Sequence, residues 1–397
     1  MSIRRITFFV HDLAANPIVR AAALAAAVRR RYDVEIIGFL HSGPDVYEPY
    51  RGLFTCKTIH APLDVWPVAK AIPALAALAT GDVIYACKPL VTTLGPALYA
   101  ARHLAARPLL LDVEDDEWAT PRSGWPSFLW RDVVKGWRHA TAWKFTRMLH
   151  PLTALADAVT VSTRRLQQRY GGVIVRHGPA GTGFDPDRPD LQDTAALRRL
   201  WNLPDRPPLV LFAGVPQPHK GWPILLEALA HPVARQWHLV LAGAPDHHEF
   251  AAAARVLRER CHIVGVLPHE AMPLLLAAVN AVPVPQFDVR FAQSQLPAKL
   301  VEAMAMARPV IASRVGDLPE IIGANERGWL VPPGDPAALA AAFDEIARVP
   351  ELARSRGRAA RSWYLAEASQ QVIESRVLPI VEAVARPSVG LPAPEAL

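Results

Sequence analysis

Residues 296–322 read LPAKLVEAMAMARPVIASRVGDLPEII, a helix-like segment followed directly by a strand-like one. Leu300 and Met304 recur at the spacing of one helix face, and Pro297 suits a first helical turn. The run RPVIAS that follows is typical of a buried strand. Glu302 is then a lone carboxylate inside a buried helix, and such a group requires a partner. A ligand with paired hydroxyls, such as a ribose, would satisfy it, as would a neighbouring arginine or a backbone amide.

The same alternation of strand and helix continues outward from this segment in both directions. Strand-like runs in the first half of the chain are RITFFV, DVEIIGF, GDVIYAC, RPLLLDV and ADAVTVS, and those in the second half are PPLVLFAG, WHLVLAG, CHIVGV, AVPVP, RPVIAS and GWLVPP. Segments of helical period lie between them, which predicts parallel sheets covered by helices. We therefore expect an α/β protein with two Rossmann-like domains whose parallel sheets face each other across a cleft.

A stretch dense in Gly, Pro and Asp, GGVIVRHGPAGTGFDPDRPD, separates the two halves and predicts a linker. The predicted N-terminal domain covers residues 1–185, and the predicted linker region covers 186–207. The second domain is expected over 208–350, followed by helices over 351–385 that pack back toward the N-terminal domain. Residues 386–397 form a proline-rich tail that is expected to be disordered.

The composition limits the function classes. With 397 residues, of which 51% are hydrophobic and 20% charged, the chain is globular and long enough for two cores. Its net charge of +6 favours an anionic partner: a nucleotide, a lipid headgroup surface or nucleic acid. The sequence has no motif that reads nucleic acid, so we expect no such partner. The three cysteines lack zinc-ligand spacing, and neither a signal peptide nor an uninterrupted apolar stretch of roughly 18 residues is present, which predicts a cytoplasmic protein.

A second candidate site lies at residues 209–230, LVLFAGVPQPHKGWPILLEALA. A strand ends near Gly214, a short loop carries His219 and Lys220, and Gly221 precedes a helix. A cation beside the unpaired N–H groups of a helix start suits a diphosphate. A solvated loop lysine is the alternative, and no GxxxxGK[ST] phosphate loop is present.

Four segments together resemble the C-terminal half of the group 1 (family 4) glycosyltransferases, which have the GT-B fold: FAGVPQPHKGWPILLEAL, VGVLPHEAMPLLLAAVNAVPVPQ, LPAKLVEAMAMARPVIASRVGDLPEII and RGWLVPPGDPAALAAAF. The first half of the chain fits more loosely. Such enzymes move a sugar from a nucleotide diphosphate donor to an acceptor hydroxyl, usually with retention at the anomeric carbon and without a required metal. The resemblance therefore implies an acceptor-side N-terminal domain, a donor-side C-terminal domain and no cofactor.

The resemblance also implies roles for single residues. Lys220 would act as the catalytic cation at the leaving diphosphate, and Glu302 would hold the ribose hydroxyls. The family's first acid, which contacts the donor sugar, is Ser294 here, and its arginine after Gly214 is Val215. The other predicted substrate-binding residues are Gly214, Gly265, Ser294, Gln295, Leu296, Lys299, Asn16 and Arg20, with His219 and Arg290 as substitutes for the missing arginine.

The sequence EDDEW at 114–118 follows the strand LLLDV, where many relatives carry a histidine that faces the reacting centre. We expect Asp115 and Asp116 to form a catalytic pair, either as an acceptor-side base or to steady oxocarbenium-like charge. A solvated acidic loop is the alternative.

Residues 118–147 hold five tryptophans interleaved with arginine and lysine. From Trp130, the positions Val134 and Trp137 share one helix face, which predicts an interfacial helix attracted to anionic lipid at the inner face of the plasma membrane. An aromatic core helix with a basic solvent face is the alternative. The membrane interpretation favours a lipid-linked or growing surface glycan as the acceptor.

Two other functions remain open on the sequence. A GT-B sugar-nucleotide epimerase requires acids deep in the cleft and no acceptor groove. A catalytically silent nucleotide-sugar-binding subunit would explain the departures at Ser294 and Val215. The donor sugar, the nucleotide base and the acceptor are left open.

Overall fold

The computed structural model describes residues 3–117, 138–181 and 183–385. Within these ranges, none of the helices is long and apolar enough to cross a lipid bilayer. The predicted interfacial helix falls mainly on 118–137, which lies outside the described residues. The predicted disordered tail at 386–397 lies outside them as well.

The first half of the chain builds one seven-stranded sheet in the order β3-β2-β1-β4-β5-β6-β7, and its strand pairs are parallel. The strands are β1 (Arg5–Asp12), β2 (Asp33–Leu40), β3 (Cys56–His60), β4 (Val83–Cys87), β5 (Leu109–Val113), β6 (Ala158–Val161) and β7 (Val173–Ile174). The helices are α1 (Ile18–Val28), α2 (Val65–Ala77), α3 (Leu94–Leu98), continued by a π-helical turn at Tyr99–Leu104, α4 (Trp143–Leu149) and α5 (Arg164–Tyr170). Because helices cover both faces, the central strands are buried and mainly apolar.

The second half builds two three-stranded parallel sheets, β10-β9-β8 and β11-β12-β13, joined by a parallel bridge between Val210 and Ala281. The strands are β8 (Leu209–Ala213), β9 (His238–Ala242), β10 (Cys261–Gly265), β11 (Val282–Val284), β12 (Val310–Ser313) and β13 (Trp329–Val331). The helices are α6 (Thr194–Leu200), α7 (Trp222–Ala230), α8 (His248–Leu257), α9 (Met272–Ala278), α10 (Ala298–Ala305), α11 (Leu318–Ile322) and α12 (Pro336–Arg348). The predicted α/β class with two parallel-sheet units is confirmed.

Two long helices, α13 (Pro350–Glu367) and α14 (Gln370–Ala385), end the described chain. Helix α13 packs against α10, where a Cβ at Gly357 would lie 2.2 Å from the carbonyl oxygen of Ala307. Only glycine allows so close an approach. Helix α14 buries Val377 and Val381 in the same apolar cluster as α1. The two helices thus run from the second unit to the first.

Helix α10 and strand β12 are the helix and strand expected within residues 296–322. Leu300 and Met304 are fully buried in the core of the second unit, as their spacing predicts. Helix α10 begins at Ala298 after Pro297, which has an extended backbone conformation and provides no side-chain cap. The start of this helix therefore leaves N–H groups available at the edge of the sheet.

Candidate active site

A cleft of about 480 Å³ lies between the two units. Its walls are segments that follow the carboxyl ends of strands: residues 14–16 after β1, 114–115 after β5, 213–217 after β8, 242–244 after β9, 266–267 after β10 and Gln286 after β11. Ligands of open parallel sheets bind at this edge. The start of α10 completes the cleft with Pro297, Ala298 and Lys299.

Two lysines of the second unit line the cleft. Lys220 lies in a turn at Pro218–Lys220, and its Nζ donates to the carbonyl oxygen of Val215 at 3.0 Å. Lys299, from the first turn of α10, places its Nζ 3.7 Å from the ring centroid of Phe212. Burial lowers the pKa of Lys220, and burial together with the charge of Lys220 lowers the pKa of Lys299 well below its usual value. An anion bound beside them would stabilise both charges.

Gly221, next to Lys220, has a φ of 71°, and a Cβ there would lie 1.6 Å from the carbonyl oxygen of Pro285. Only glycine fits in this position, because both the backbone conformation and the contact exclude a side chain. The lysine loop is therefore pressed against the segment that carries Gln286.

Glu302 also lines the cleft, one turn into α10. Burial raises the pKa of its carboxyl to about 7, although the charge of Lys299 opposes this shift. Its carboxylate accepts no hydrogen bond from the described part of the chain, and the imidazole of His269 lies nearby, with 3.9 Å between Oε1 and Nδ1. Burial lowers the pKa of His269 to about 4, so this imidazole is neutral at pH 7. A buried carboxylate facing a cleft without a protein donor is poised to accept hydrogen bonds from a ligand.

An aromatic contact joins the two units beside Glu302. Tyr50 of the first unit stacks on His269 with 4.8 Å between the ring centroids, and its Oη lies 3.3 Å from Nδ1 of that histidine. Phe184 packs on His269 from another direction at 5.1 Å. Tyr47 and Tyr50 both line the cleft, so the first unit contributes to the wall near Glu302.

On the opposite side, Lys88 is surrounded by carboxylates. Its Nζ donates to Asp115 Oδ2 at 2.7 Å and to Glu117 Oε1 at 2.9 Å, and it lies 3.7 Å from Glu114 Oε1. Lys88 adopts a φ of 78°, an unfavourable backbone conformation for a residue other than glycine. Burial raises the pKa of Glu114 to about 8, with the charge of Lys88 opposing the shift. An ammonium group thus balances the charge of this acidic loop.

The structure separates the predicted catalytic pair, which corrects that expectation. Asp115 lines the cleft, and its Oδ1 accepts a hydrogen bond from Gln295 Nε2 at 3.2 Å. Asp116 turns away to Arg169, whose NH1 lies 2.8 Å from both carboxylate oxygens, with Arg290 Nε at 3.9 Å. Arg290 therefore neighbours Asp116 and is not among the residues that line the cleft.

The remaining predicted residues divide into two groups. Asn16, Gly214, Gln295 and Leu296 line the cleft together with Lys220, Lys299 and Glu302. Gly265 ends β10 with a φ of 81° and is not part of the wall, although Val266 and Leu267 are. His219 packs edge-on against Phe291 at 5.3 Å, with its side chain beside the cleft and not in its wall.

Arg20 does not reach the cleft, contrary to expectation. Its side chain is fully buried and makes two hydrogen bonds to Asp112, of 2.9 and 2.7 Å, and one to the carbonyl oxygen of Val175 at 2.9 Å. Through these hydrogen bonds, the guanidinium of Arg20 joins α1, β5 and the segment after β7. Ser294 is buried as well, and its Oγ donates to the carbonyl oxygen of Phe291 at 3.0 Å.

Sequence reasoning did not select Lys88, Glu114, Tyr50, His269 or Gln286. Lys88 follows β4 directly in the sequence VIYACK, and Gln286 follows β11 after one proline in the sequence VPVPQ. The position of a polar residue just after a buried strand was therefore the available signal for these two. Tyr50 and His269 come together from distant loops, and no local pattern predicts their contact.

Two parallel-sheet units with a charged cleft between them define the GT-B class of protein. Residues 207–348 match the family model described as "Glycosyl transferases group 1". Over this part of the chain, the expected similarity to the group 1 glycosyltransferases is confirmed.

Curated relatives with recorded activities match parts of the chain. A GDP-mannose-dependent alpha-(1-6)-phosphatidylinositol monomannoside mannosyltransferase of Mycolicibacterium smegmatis is 29% identical over 53% of this chain and 58% of its own length. An alpha-D-kanosaminyltransferase of Streptomyces kanamyceticus is 32% identical over 40% of this chain and 41% of its own. A D-inositol 3-phosphate glycosyltransferase of Xylanimonas cellulosilytica is 32% identical over 48% of each chain. The chain spans about half the length of the curated relatives it matches.

Solved structures show the same fold over nearly the whole chain. Sucrose-phosphate synthase from Thermosynechococcus elongatus superposes with a TM-score of 0.70, at 21% identity, over 96% of this chain and 99% of that one. The HepE protein of Anabaena in complex with UDP-glucose superposes with a TM-score of 0.69, at 19% identity, over 96% and 100%. At these identities the likeness establishes the GT-B fold alone.

Proposed function

We propose that this protein transfers a sugar from a nucleotide diphosphate sugar to an acceptor hydroxyl, with retention at the anomeric carbon. The observation that carries the proposal is Glu302, a buried carboxylate in the cleft that accepts no hydrogen bond from the described residues, next to Lys299 and Lys220. A ribose offers two adjacent hydroxyl donors to one carboxylate, and a diphosphate offers the negative charge that the lysines need. One nucleoside diphosphate satisfies all three groups.

The two lysines also account for the chemistry of the leaving group. When the bond between the sugar and the diphosphate breaks, negative charge accumulates on the departing oxygen. Lys220 and Lys299 are fixed in a partly dehydrated site where they stabilise that charge without rearrangement. Across the cleft, Asp115 and Glu114 face the side on which positive charge develops at the anomeric carbon. No metal is required in this scheme, because side chains supply the cations.

The relatives support the type of reaction. The Mycolicibacterium smegmatis protein is named as a GDP-mannose-dependent mannosyltransferase, and the Xylanimonas cellulosilytica protein as a D-inositol 3-phosphate glycosyltransferase.

We also propose that the acceptor belongs to a cell-surface glycan or a glycolipid, and that the protein meets anionic lipid as a peripheral cytoplasmic enzyme. The tryptophan- and arginine-rich residues 118–147 support this, as does the net charge of +6. Beside that segment, Met148 is 68% exposed and Leu155 is 50% exposed, so apolar surface is present next to the basic residues. No nucleic acid takes part in this proposal.

The test is incubation of the full chain with a panel of nucleotide diphosphate sugars, with and without candidate glycolipid acceptors. We expect one donor to release its nucleoside diphosphate and to give a product of unchanged anomeric configuration, seen by NMR. Conversion of the donor to another nucleotide sugar would instead identify an epimerase. Binding without any release would identify a silent subunit.

A further inference from the structure

The donor sugar lacks its expected partner in this protein. Ser294 occupies the place of the acid that contacts the donor sugar in the family that this chain resembles. Its side chain is fully buried, and its Oγ donates to the carbonyl oxygen of Phe291 at 3.0 Å. Its own carbonyl oxygen accepts a hydrogen bond from Thr163 Oγ1 at 3.1 Å. The hydroxyl and the carbonyl of Ser294 thus form hydrogen bonds within the protein, and other groups must hold the sugar.

Three buried polar atoms of residues that line the cleft have no hydrogen-bond partner among the described residues: Gln286 Oε1, Glu114 Oε2 and His269 Nε2. His269 neighbours Glu302, the residue proposed to hold the ribose, which leaves Gln286 Oε1 and Glu114 Oε2 for the sugar. Both side chains line the cleft, Gln286 from the second unit and Glu114 from the first. Buried polar atoms in folded proteins are almost always paired, so two unpaired atoms in one cleft indicate a polar ligand between the units.

A chain of hydrogen bonds fixes these side chains across the cleft. Gln286 Nε2 donates to Gln295 Oε1 at 3.0 Å, and Gln295 Nε2 donates to Asp115 Oδ1 at 3.2 Å. Lys88 Nζ holds the other oxygen of Asp115 at 2.7 Å. The Asp115 carboxylate only accepts, so Gln295 must present its nitrogen to Asp115 and its oxygen to Gln286. Gln286 must therefore donate to Gln295 through Nε2, which leaves Gln286 Oε1 to accept a hydrogen bond from a ligand.

We propose that Gln286 and Glu114, held in place through Gln295 and Asp115, form the donor-sugar subsite and take the role of the acid missing at Ser294. This inference rests on the proposed nucleotide-sugar transfer. Sugar hydroxyls donate to Gln286 Oε1 and bond to Glu114 Oε2, so that the sugar bridges the two units.

The oxygen atoms of this subsite define the class of sugar. Gln286 Oε1 and Glu114 Oε2 have no hydrogen-bond partner among the described residues, and the carboxylate of Asp115 lines the same cleft. Sugar hydroxyls can donate to these oxygen atoms, whereas the carboxylate of a sugar acid would meet them oxygen to oxygen. The donor is therefore a neutral hydroxylated sugar and not a uronic acid.

The test separates nucleotide binding from sugar binding by calorimetry on the full chain. UDP, GDP and ADP are first titrated into the wild type, and the one that binds best is compared with its neutral sugar conjugates. Gln286→Leu should weaken binding of the tightest-binding nucleotide sugar by at least about tenfold, which is about 1.4 kcal/mol, and binding of the nucleoside diphosphate by less than about twofold. Gln371→Leu is the matched control, because Gln371 is an exposed glutamine on α14 and does not line the cleft; it should change neither value.

Glu114→Gln is the second variant, because it preserves the shape of the side chain if Gln286→Leu disturbs folding. This substitution should also weaken the binding of the nucleotide sugar more than the binding of the nucleoside diphosphate. Equal weakening of both ligands, or of neither, would overturn the subsite. Tighter binding of UDP-glucuronate than of UDP-glucose, or of the corresponding pair on another base, would overturn the sugar class. A wild type that binds none of the nucleoside diphosphates would instead overturn the proposed function, and the inference with it.

Discussion

Lys220 and Lys299 are ammonium groups that have lost much of their water and have gained no carboxylate partner at hydrogen-bond distance among the described residues. Such an arrangement costs free energy in the ligand-free protein, and the binding of an anion recovers that free energy. At the scale of single residues, this is the feature that distinguishes the cleft from an ordinary groove between two domains.

Replacement of Lys220 by alanine should lower donor turnover by more than about tenfold, because one cation at the leaving diphosphate is lost. The melting temperature should change little, since the ammonium group bonds only to the Val215 carbonyl oxygen among the described residues. Lys70→Ala, at an exposed position on α2, is the matched control and should keep full turnover. Unchanged turnover in Lys220→Ala would show that this lysine does not contact the diphosphate.

Glu302 predicts a pH dependence of stability. Its pKa is about 7 in the folded protein and near 4.5 when solvated, so the folded state holds the extra proton between these values. Stability therefore falls as pH rises from about 5 to about 8, by on the order of 1 to 3 kcal/mol for this group. Urea unfolding of Glu302→Gln, which cannot titrate, should show a smaller fall than the wild type. Parallel pH profiles for the two proteins would contradict the raised pKa.

At the scale of elements, the strands that the sequence predicts each contain buried residues, apart from the edge strand β10, whose residues are half-buried or exposed. The expected runs correspond to β1, β2, β4, β5 and β6 in the first unit and to all six strands of the second. The two missed strands, β3 and β7, are the edges of the seven-stranded sheet, and their residues are only partly buried or exposed. Without two buried faces, an edge strand has no continuous apolar run, so its sequence resembles a loop.

Helix α11 illustrates a contact that no local pattern predicts. Asp317, at its start, accepts a hydrogen bond from the backbone N–H of Arg164 at 3.0 Å and forms a buried ion pair with Arg176. Asp317 belongs to the second unit, whereas Arg164 and Arg176 belong to the first, 153 and 141 residues away along the chain. These contacts therefore join the two units.

Asp317→Asn should destabilise the protein by about 3–5 kcal/mol, because Arg176 would remain buried without its counter-charge. Denaturant unfolding measures this loss. Glu320→Gln is the control, since it breaks the ion pair between Arg164 and Glu320, whose side chains are 62% and 47% exposed. That change should cost no more than about 1 kcal/mol. Equal effects of the two substitutions would show that the buried pair does not hold the units together.

At the scale of the whole molecule, the predicted site residues that do line the cleft are those whose position depends on a single element, such as Glu302 and Lys299 on α10. Arg20 was misplaced because its position depends on Asp112, which is 92 residues away. Asp115 and Asp116 do not act as a pair, because Gln295 hydrogen-bonds to Asp115 and Arg169 hydrogen-bonds to Asp116, so that the two side chains point in different directions. Partners that are distant in sequence decide these orientations, and composition or periodicity carries no information about them.

The membrane proposal also belongs to this scale. If residues 118–147 meet anionic lipid, cosedimentation with phosphatidylglycerol-containing vesicles should be strong at low salt and should fall as salt rises. Replacement of Arg131, Lys135 and Arg138 by glutamine should abolish it and leave nucleotide affinity unchanged. Glutamine at Arg348, Arg354 and Arg358, which removes the same charge from α12 and α13, is the control and should preserve binding. Equal loss in both triple variants would indicate a nonspecific charge effect.

The central claim is that the cleft holds a nucleoside diphosphate through the ribose contact of Glu302. Calorimetry of ribo- and 2′-deoxyribonucleoside diphosphates with the same base, on the wild type and Glu302→Gln, tests it directly. A hydrogen bond to a charged group contributes about 1.5–3 kcal/mol, so the wild type should prefer the ribonucleotide by about tenfold or more, and Glu302→Gln should lose most of that preference. The same ribose preference in both proteins would contradict the account.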